Sequence, residues 1–176
     1  MGPAKTTTRR TALVAVALAL VAFTVVTTSA LADTSNGRAG QRVIRLRVVK
    51  PIRHGVDSGR RGVSAGDSTL VAARLLNRAN GKVAGALFEQ CTMIEVNRFQ
   101  SQQCQATVSL RSAALGTGDI TVQGVEPSFP PPHPFGQPFA VTFAVTGGTG
   151  DFDGASGSLV DHPFDSPRNI TITLRA

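Results

Sequence analysis

The chain has no tryptophan and no tyrosine, only two cysteines and two methionines, and 11 acidic residues against 18 basic ones in 176 positions. With phenylalanine as its one aromatic type it lacks the interleaved stacking surfaces that hold single-stranded nucleic acid, so nucleic acid is not an expected partner. His54, His133 and His162 fall at no metal-ligand spacing. Asp151, Asp153 and Asp161 lie close in sequence but without the calcium-loop pattern. Neither a metal nor a cofactor is expected. Also missing, beyond the N-terminal segment, is any sustained 3.6-residue apolar period, which argues against helices. What is abundant is glycine and proline, 18 and 10 residues, the composition of a chain with many turns. Apolar residues make up 41%, enough for a packed core.

The one long apolar run is at the start. Met1 to Arg10 carries three positive charges and no acid, Thr11 to Val26 is almost wholly apolar, and Ala30-Leu31-Ala32 has the small-x-small pattern of a signal-peptidase site. Residues 1–32 are therefore expected to be a cleaved export signal, with a retained membrane helix as the alternative. Arg9-Arg10 is compatible with twin-arginine as well as general secretory export. After cleavage no membrane-spanning segment would remain, and the secreted chain would carry 15 basic and 11 acidic residues, a formal +4. Residues 33–41 are polar and Gly-rich, an expected flexible arm, and 42–176 form one domain of ordinary size.

In an oxidising compartment Cys91 and Cys104 are expected to pair. If the runs around them form a hairpin centred near Asn97-Arg98, the numbers of facing residues sum to 195, as 91 and 104 do. A reduced Cys91 facing the interior is the competing state.

Eight β-like runs can be traced, each bounded by turn residues. They are Val43 to Val49, Asp67 to Leu76, residues 86–96, residues 104–112, Asp119 to Val125, Phe139 to Thr146, Asp153 to Asp161 and Asn169 to Arg175. Lys50 to Ser64, with its Arg, His and Gly, reads as a long loop, and Pro127 to Pro138 holds six of the ten prolines in a stiff connection. The expected fold is all-β, a closed eight-stranded antiparallel β-barrel, which leaves no sheet edge exposed. A sandwich is the alternative.

Thr146-Gly-Gly-Thr-Gly150 invites a nucleotide-binding reading, but such a turn must open a helix and be followed by further βα units, and only 26 residues remain. It is expected instead to be a tight turn at Gly147, Gly148 and Gly150, continued by bends at Gly154 and Gly157. The longer stretch from Ala144 to Gly157, AVTGGTGDFDGASG, resembles the late-chain signature of plant allene oxide cyclases and dirigent proteins. Gly66-Asp67, Gly85 and Gly118-Asp-Ile-Thr-Val-Gln-Gly124 agree in order and spacing. The resemblance covers about residues 65–176. It implies an eight-stranded barrel, often trimeric, whose cavity takes a small hydrophobic, phenolic or lipid-like ligand.

In the cyclases a Glu on the first strand assists ring closure, and the barrel otherwise holds a flexible chain in one conformer. Here no Glu, Asp, Asn or Gln stands between Arg42 and His54, so that carboxylate has no counterpart. Strand parity instead puts Leu87, Glu89, Cys91 and Met93 on one face, the expected ligand cavity, with Glu89 the candidate proton-transfer group. A buried, unpaired Glu would hold its proton to higher pH; pairing with Arg74 or Arg111, or a place near a barrel end, would remove that role. Arg45 and Arg47 are expected to face solvent. The functional expectation is an exported dirigent-like or cyclase-like barrel that binds a small apolar ligand and steers a coupling or cyclisation. An isomerase of allene oxide cyclase type and a non-catalytic structural or surface-interaction barrel are the alternatives.

Overall fold

A computed structural model of the chain describes residues 40–96, 100–127, 140–163 and 165–175. The expected signal segment, most of the 33–41 arm, His133 and nearly all of the proline-rich connection lie outside them. Eight strands follow in order: β1 (Gln41–Val56), β2 (Ser68–Asn77), β3 (Val83–Glu95), β4 (Ser101–Ser112), β5 (Gly116–Pro127), β6 (Val141–Gly148), β7 (Gly157–His162) and β8 (Asn169–Arg175). Each pairs antiparallel with its sequence neighbour, and β8 returns to β1, so the sheet is a closed barrel. This is the expected fold.

Alternation dictates the filling. Ile44, Leu46 and Val48 of β1, Leu75 of β2, Val108 and Leu110 of β4, Ile120 and Val122 of β5, and Ile170, Ile172 and Leu174 of β8 point inward, and all are buried in one contiguous apolar core. Their sequence neighbours, among them Arg45 and Arg47, lie on the outer face. The register of β3 on β4 places Cys91 opposite Cys104, and the two form a disulfide.

Two expectations are corrected. The first strand does not stop at Val49. Its pairing with β2 breaks between Val49 and Ile52, where Lys50 has φ 50° and Pro51 offers no N–H, then resumes from Ile52↔Ala72 to Val56↔Ser68. The Arg, His and Gly that suggested a loop are carried by a bulged strand. The seventh strand begins at Gly157 rather than Asp153, because Gly150–Phe152 form a 3-10 turn that carries Phe152 into the core. Phe152 closes this lower end of the barrel, with the Arg42 guanidinium 4.9 Å from its ring centre.

The glycine motif divides accordingly. Gly147 and Gly148 belong to β6 and are not in the left-handed region, whereas Gly150 (φ 62°), Gly154 (φ 70°) and Gly157 (φ 145°) are. A Cβ on Gly150 would lie 2.5 Å from the Thr117 carbonyl oxygen, while one on Gly154 would meet nothing within 4 Å. Gly154→Ala should thus cost about 1 kcal/mol, for backbone conformation alone, and Gly150→Ala more than about 2 kcal/mol, because β5 must also move. Equal shifts in urea unfolding midpoint for the two variants would contradict this account of the turn.

Candidate functional site

Above the apolar core, toward the end opposite Phe152, the inward positions change character. One layer holds Glu89 of β3, with Val71, Ala106 and Val122 facing or flanking it. The next holds the disulfide, with Gly124 of β5 opposite Cys104. A Cβ on Gly124 would come within 2.7 Å of the Phe143 ring, so the absence of a side chain there is what admits Phe143. The uppermost layer holds Met93, Gln102 and Glu126, which face one another across β3, β4 and β5.

Arg168, immediately before β8, reaches into these layers. Its Nε donates to both Asp161 carboxylate oxygens at 3.0 and 3.1 Å, and its Nη2 donates to Asp161 Oδ2 and, at 3.0 Å, to Glu89 Oε2. Glu89 and Asp161 are buried and the Arg168 side chain is only 11% exposed, so this is an interior ion-pair network. Burial works against the Arg168 charge, but the Asp161 hydrogen bonds and the charges of Glu89 and Asp161 outweigh it and raise its affinity for its proton.

Glu126 is the carboxyl left at the edge of this arrangement. It accepts a hydrogen bond from Gln102 Nε2 and its Oε1 lies 3.9 Å from Cys91 Sγ. Burial, then the charge of Glu89 and less so that of Asp161, push its pKa up to about 7, against the smaller opposing effects of Gln102 and Arg168. At neutral pH it is poised between acid and base, the condition under which a carboxyl transfers protons well.

Of the residues singled out from the sequence, Leu87, Glu89 and Cys91 are buried in the barrel and Met93 is half-buried in the uppermost layer. The partner expected for Glu89 is corrected: Arg74 and Arg111 lie on the outer face, Arg111 beside Asp119 at 3.6 Å, and parity keeps both from the interior. The three aspartates do not converge, since Asp151 accepts from the Thr117 N–H and Asp161 belongs to Arg168. His54 is exposed, and His162 lies 3.9 Å from Asp165. Arg168, Asp161 and Glu126 were missed as site residues. For two of them a signal existed: Asp161 keeps parity with Leu159, and Glu126 continues Ile120, Val122 and Gly124 past the expected end of strand five.

A concave surface of about 560 Å³ lies elsewhere, on the outer face of β1 to β6, where Ile52, Leu70, Phe88, Gln105, Thr121 and Thr146 point outward. Glu89 is the sole member of the expected cavity set that borders it, and its side chain faces the interior.

A closed antiparallel barrel with a polar, carboxyl-rich upper layer is the class of protein that fold and site define. Among solved structures the chain is similar to a pyocyanin demethylase, with TM-score 0.57 and 20% identity over 76% of this chain and 98% of that one. It is also similar to a pterocarpan synthase dirigent protein, with TM-score 0.53 and 14% identity over 76% and 84%. A third, an exo-specific intermolecular Diels-Alderase, gives TM-score 0.51 and 12% identity over 77% and 97%. No protein-family model and no curated protein matches the chain. The fold is therefore that of the dirigent and allene oxide cyclase-like barrels, as the glycine signature implied.

Two outcomes test the electrostatics. Arg168→Met leaves Glu89 and Asp161 buried without their cation and should cost about 3–5 kcal/mol at neutral pH. Glu126 binds its proton more tightly folded than unfolded, so stability is fully present below its ordinary pKa of 4.5 and is lost as pH rises to about 7. The loss should amount to about 3 kcal/mol, and the wild-type minus Glu126→Gln difference in chemical denaturation isolates it. A difference that stays flat, or rises, across that window would show that Glu126 is not buried as described.

Proposed function

We propose that the protein is an exported barrel that binds a small, largely apolar ligand at its upper end, against Glu126, and steers a coupling or cyclisation there. The observation that carries this reading is the Glu126 carboxyl. It is half-buried, poised near neutrality, and set above Phe143, the disulfide and the Arg168 ion pairs in a barrel whose remaining interior is largely apolar. That filling moves the proposed ligand from the middle of the barrel, where Leu87 and Cys91 were expected to line a cavity, to the layer of Met93, Gln102 and Glu126. The similar structures support small-molecule chemistry in general, since the names of the three describe three different reactions on small organic molecules.

Glu126 also favours a second reading, a cyclase or isomerase in which it gives or takes the proton. The two readings differ in what Glu126→Gln does. An acid–base enzyme loses about 100-fold or more in turnover. A barrel that only orients its ligand keeps its binding, and the stereochemical excess of a coupling made by another catalyst. A wild-type protein with no affinity for small apolar ligands, no turnover and no effect on the stereochemical excess of a coupling would defeat both and leave a structural barrel.

Export through residues 1–32 is part of the proposal. The disulfide supports it, and among the described residues no helix is long and apolar enough to cross a membrane. Assembly as a homotrimer is proposed as well, with the outer face of β1 to β3 buried, because Ile52, Leu70 and Phe88 are exposed there at 74%, 41% and 54%. Native mass spectrometry of the secreted protein should report an N-terminus at Asp33, a mass of three chains and no free thiol; an intact Met1 overturns export, and a monomer overturns the assembly.

A further inference from the structure

The disulfide is enclosed by oxygen donors in a way that a purely structural crosslink does not require. Cys91 and Cys104 face each other across β3 and β4 with Cα atoms 4.0 Å apart. Glu89 stands two residues from Cys91 on the same inward face and presents Oε1 at 3.9 Å from Cys91 Sγ. Glu126 comes from β5, on the upper side, and presents its own Oε1 at the same 3.9 Å. The ligand atoms of Glu89, Cys91 and Cys104 lie within 4.8 Å of one another, and all three residues are buried.

Each carboxyl is also fixed by a hydrogen-bond donor. Glu89 receives Arg168 Nη2 at 3.0 Å on Oε2 and at 3.4 Å on Oε1, and Glu126 receives Gln102 Nε2 on Oε1, the oxygen that faces the sulfur. Such outer partners are what orient ligating side chains around a metal. We infer that, once the Cys91–Cys104 bond is reduced, Cys91, Cys104, Glu89 and Glu126 form a four-donor site for a thiophilic divalent cation such as zinc.

The donor set suits that ion: two thiolates and two carboxylate oxygens make a tetrahedral shell, at about 2.3 Å for sulfur and 2.0–2.2 Å for oxygen. Sulfur in a disulfide carries no charge and does not serve as a thiolate ligand, so oxidised and metal-bound states exclude each other. Reduction takes two electrons and two protons from a dithiol reductant, which leaves as its own cyclic disulfide. Binding then releases the two thiol protons, together with any proton on Glu126, and forms two metal–sulfur and two metal–oxygen bonds. The two thiolate charges offset the two charges of the metal, so the layer keeps the charge it has with Glu126 ionised. Arg168 opposes a cation here, but Glu89, Asp161 and Glu126 set three carboxyls against its one guanidinium.

This inference is independent of the ligand proposed above, which belongs to the oxidised protein. The test is cobalt(II) titration of protein reduced with a dithiol and desalted without oxygen, followed by displacement with zinc. Reduced wild type should take up one equivalent, with thiolate-to-cobalt charge-transfer absorption and the visible bands of a tetrahedral site, while the oxidised protein takes up none. Glu126→Gln, which keeps the shape of the side chain, should weaken binding by about tenfold or more. Reduced wild type, shown folded by circular dichroism, that binds no cobalt overturns the inference. So does a charge-transfer band that survives unchanged in Cys104→Ser, or a Glu126→Gln variant that binds as tightly as wild type.

Discussion

A guanidinium inside an apolar barrel costs several kcal/mol unless carboxylates meet it, and the upper half of this protein is arranged around that constraint. Arg168 enters just before β8, where its carbonyl accepts the Val48 N–H of β1 at 2.9 Å, and its side chain spans to Asp161 on β7 and Glu89 on β3. In a ring of eight strands β3 and β7 are four apart in either direction, so one side chain ties opposite walls together. The help that Arg168 gives Glu126 is smaller than the penalty from burial and from Glu89's charge. Burial first, and the charge of the ion-paired Glu89 second, thus leave the neighbouring carboxyl poised near neutrality.

The parts of this arrangement that depend on alternation were readable from the chain. The facing sum of 195 holds from Gly85↔Leu110 to Met93↔Gln102, so a single assumed turn position fixed the partner of Cys91. The inward set of β1, β5 and β8 follows from the same period of two. Length was harder to read. Lys50-Pro51 looks like the end of a strand, because neither a positive φ nor a missing N–H suits a regular ladder, yet a bulge absorbs both and pairing continues. Arg168 carried no local signal at all. It lies in a Ser-Pro-Arg-Asn stretch that reads as a turn, and its role depends on a partner 79 residues away.

The glycine corner shows how a motif can be right as a marker and incomplete as a mechanism. It was expected to be a turn that needs left-handed backbone, and three of its five glycines do adopt it. The larger reason for small residues there is proximity. The 3-10 turn folds back over the start of β5 so that Phe152 can enter the lower end of the barrel, and a Cβ at Gly118 or Gly148 would lie 2.0 Å and 2.3 Å from carbonyl oxygens of that turn. Phe152 does at the lower end what the ion-pair layer does at the upper one: it gives inward-facing space a definite occupant.

The first-strand carboxylate expected of a cyclase is missing, and that absence concerns the strand rather than the interior. Every strand of a closed barrel offers inward positions at alternate residues, so a polar group can be supplied from β3, β5 or β7 without altering the ladder that defines the fold. Here Glu89, Glu126 and Asp161 come from those three strands. Fold similarity at 12–20% identity therefore extends to the barrel fold and stops short of the chemistry. The upper layer has to be read on its own terms. There a covalent bond between Cys91 and Cys104 fixes the spacing of β3 and β4, the strands that carry Glu89 and Gln102. Because Gln102 in turn holds Glu126, the distance between the paired acid and the unpaired one is set by the sulfur bridge lying between them.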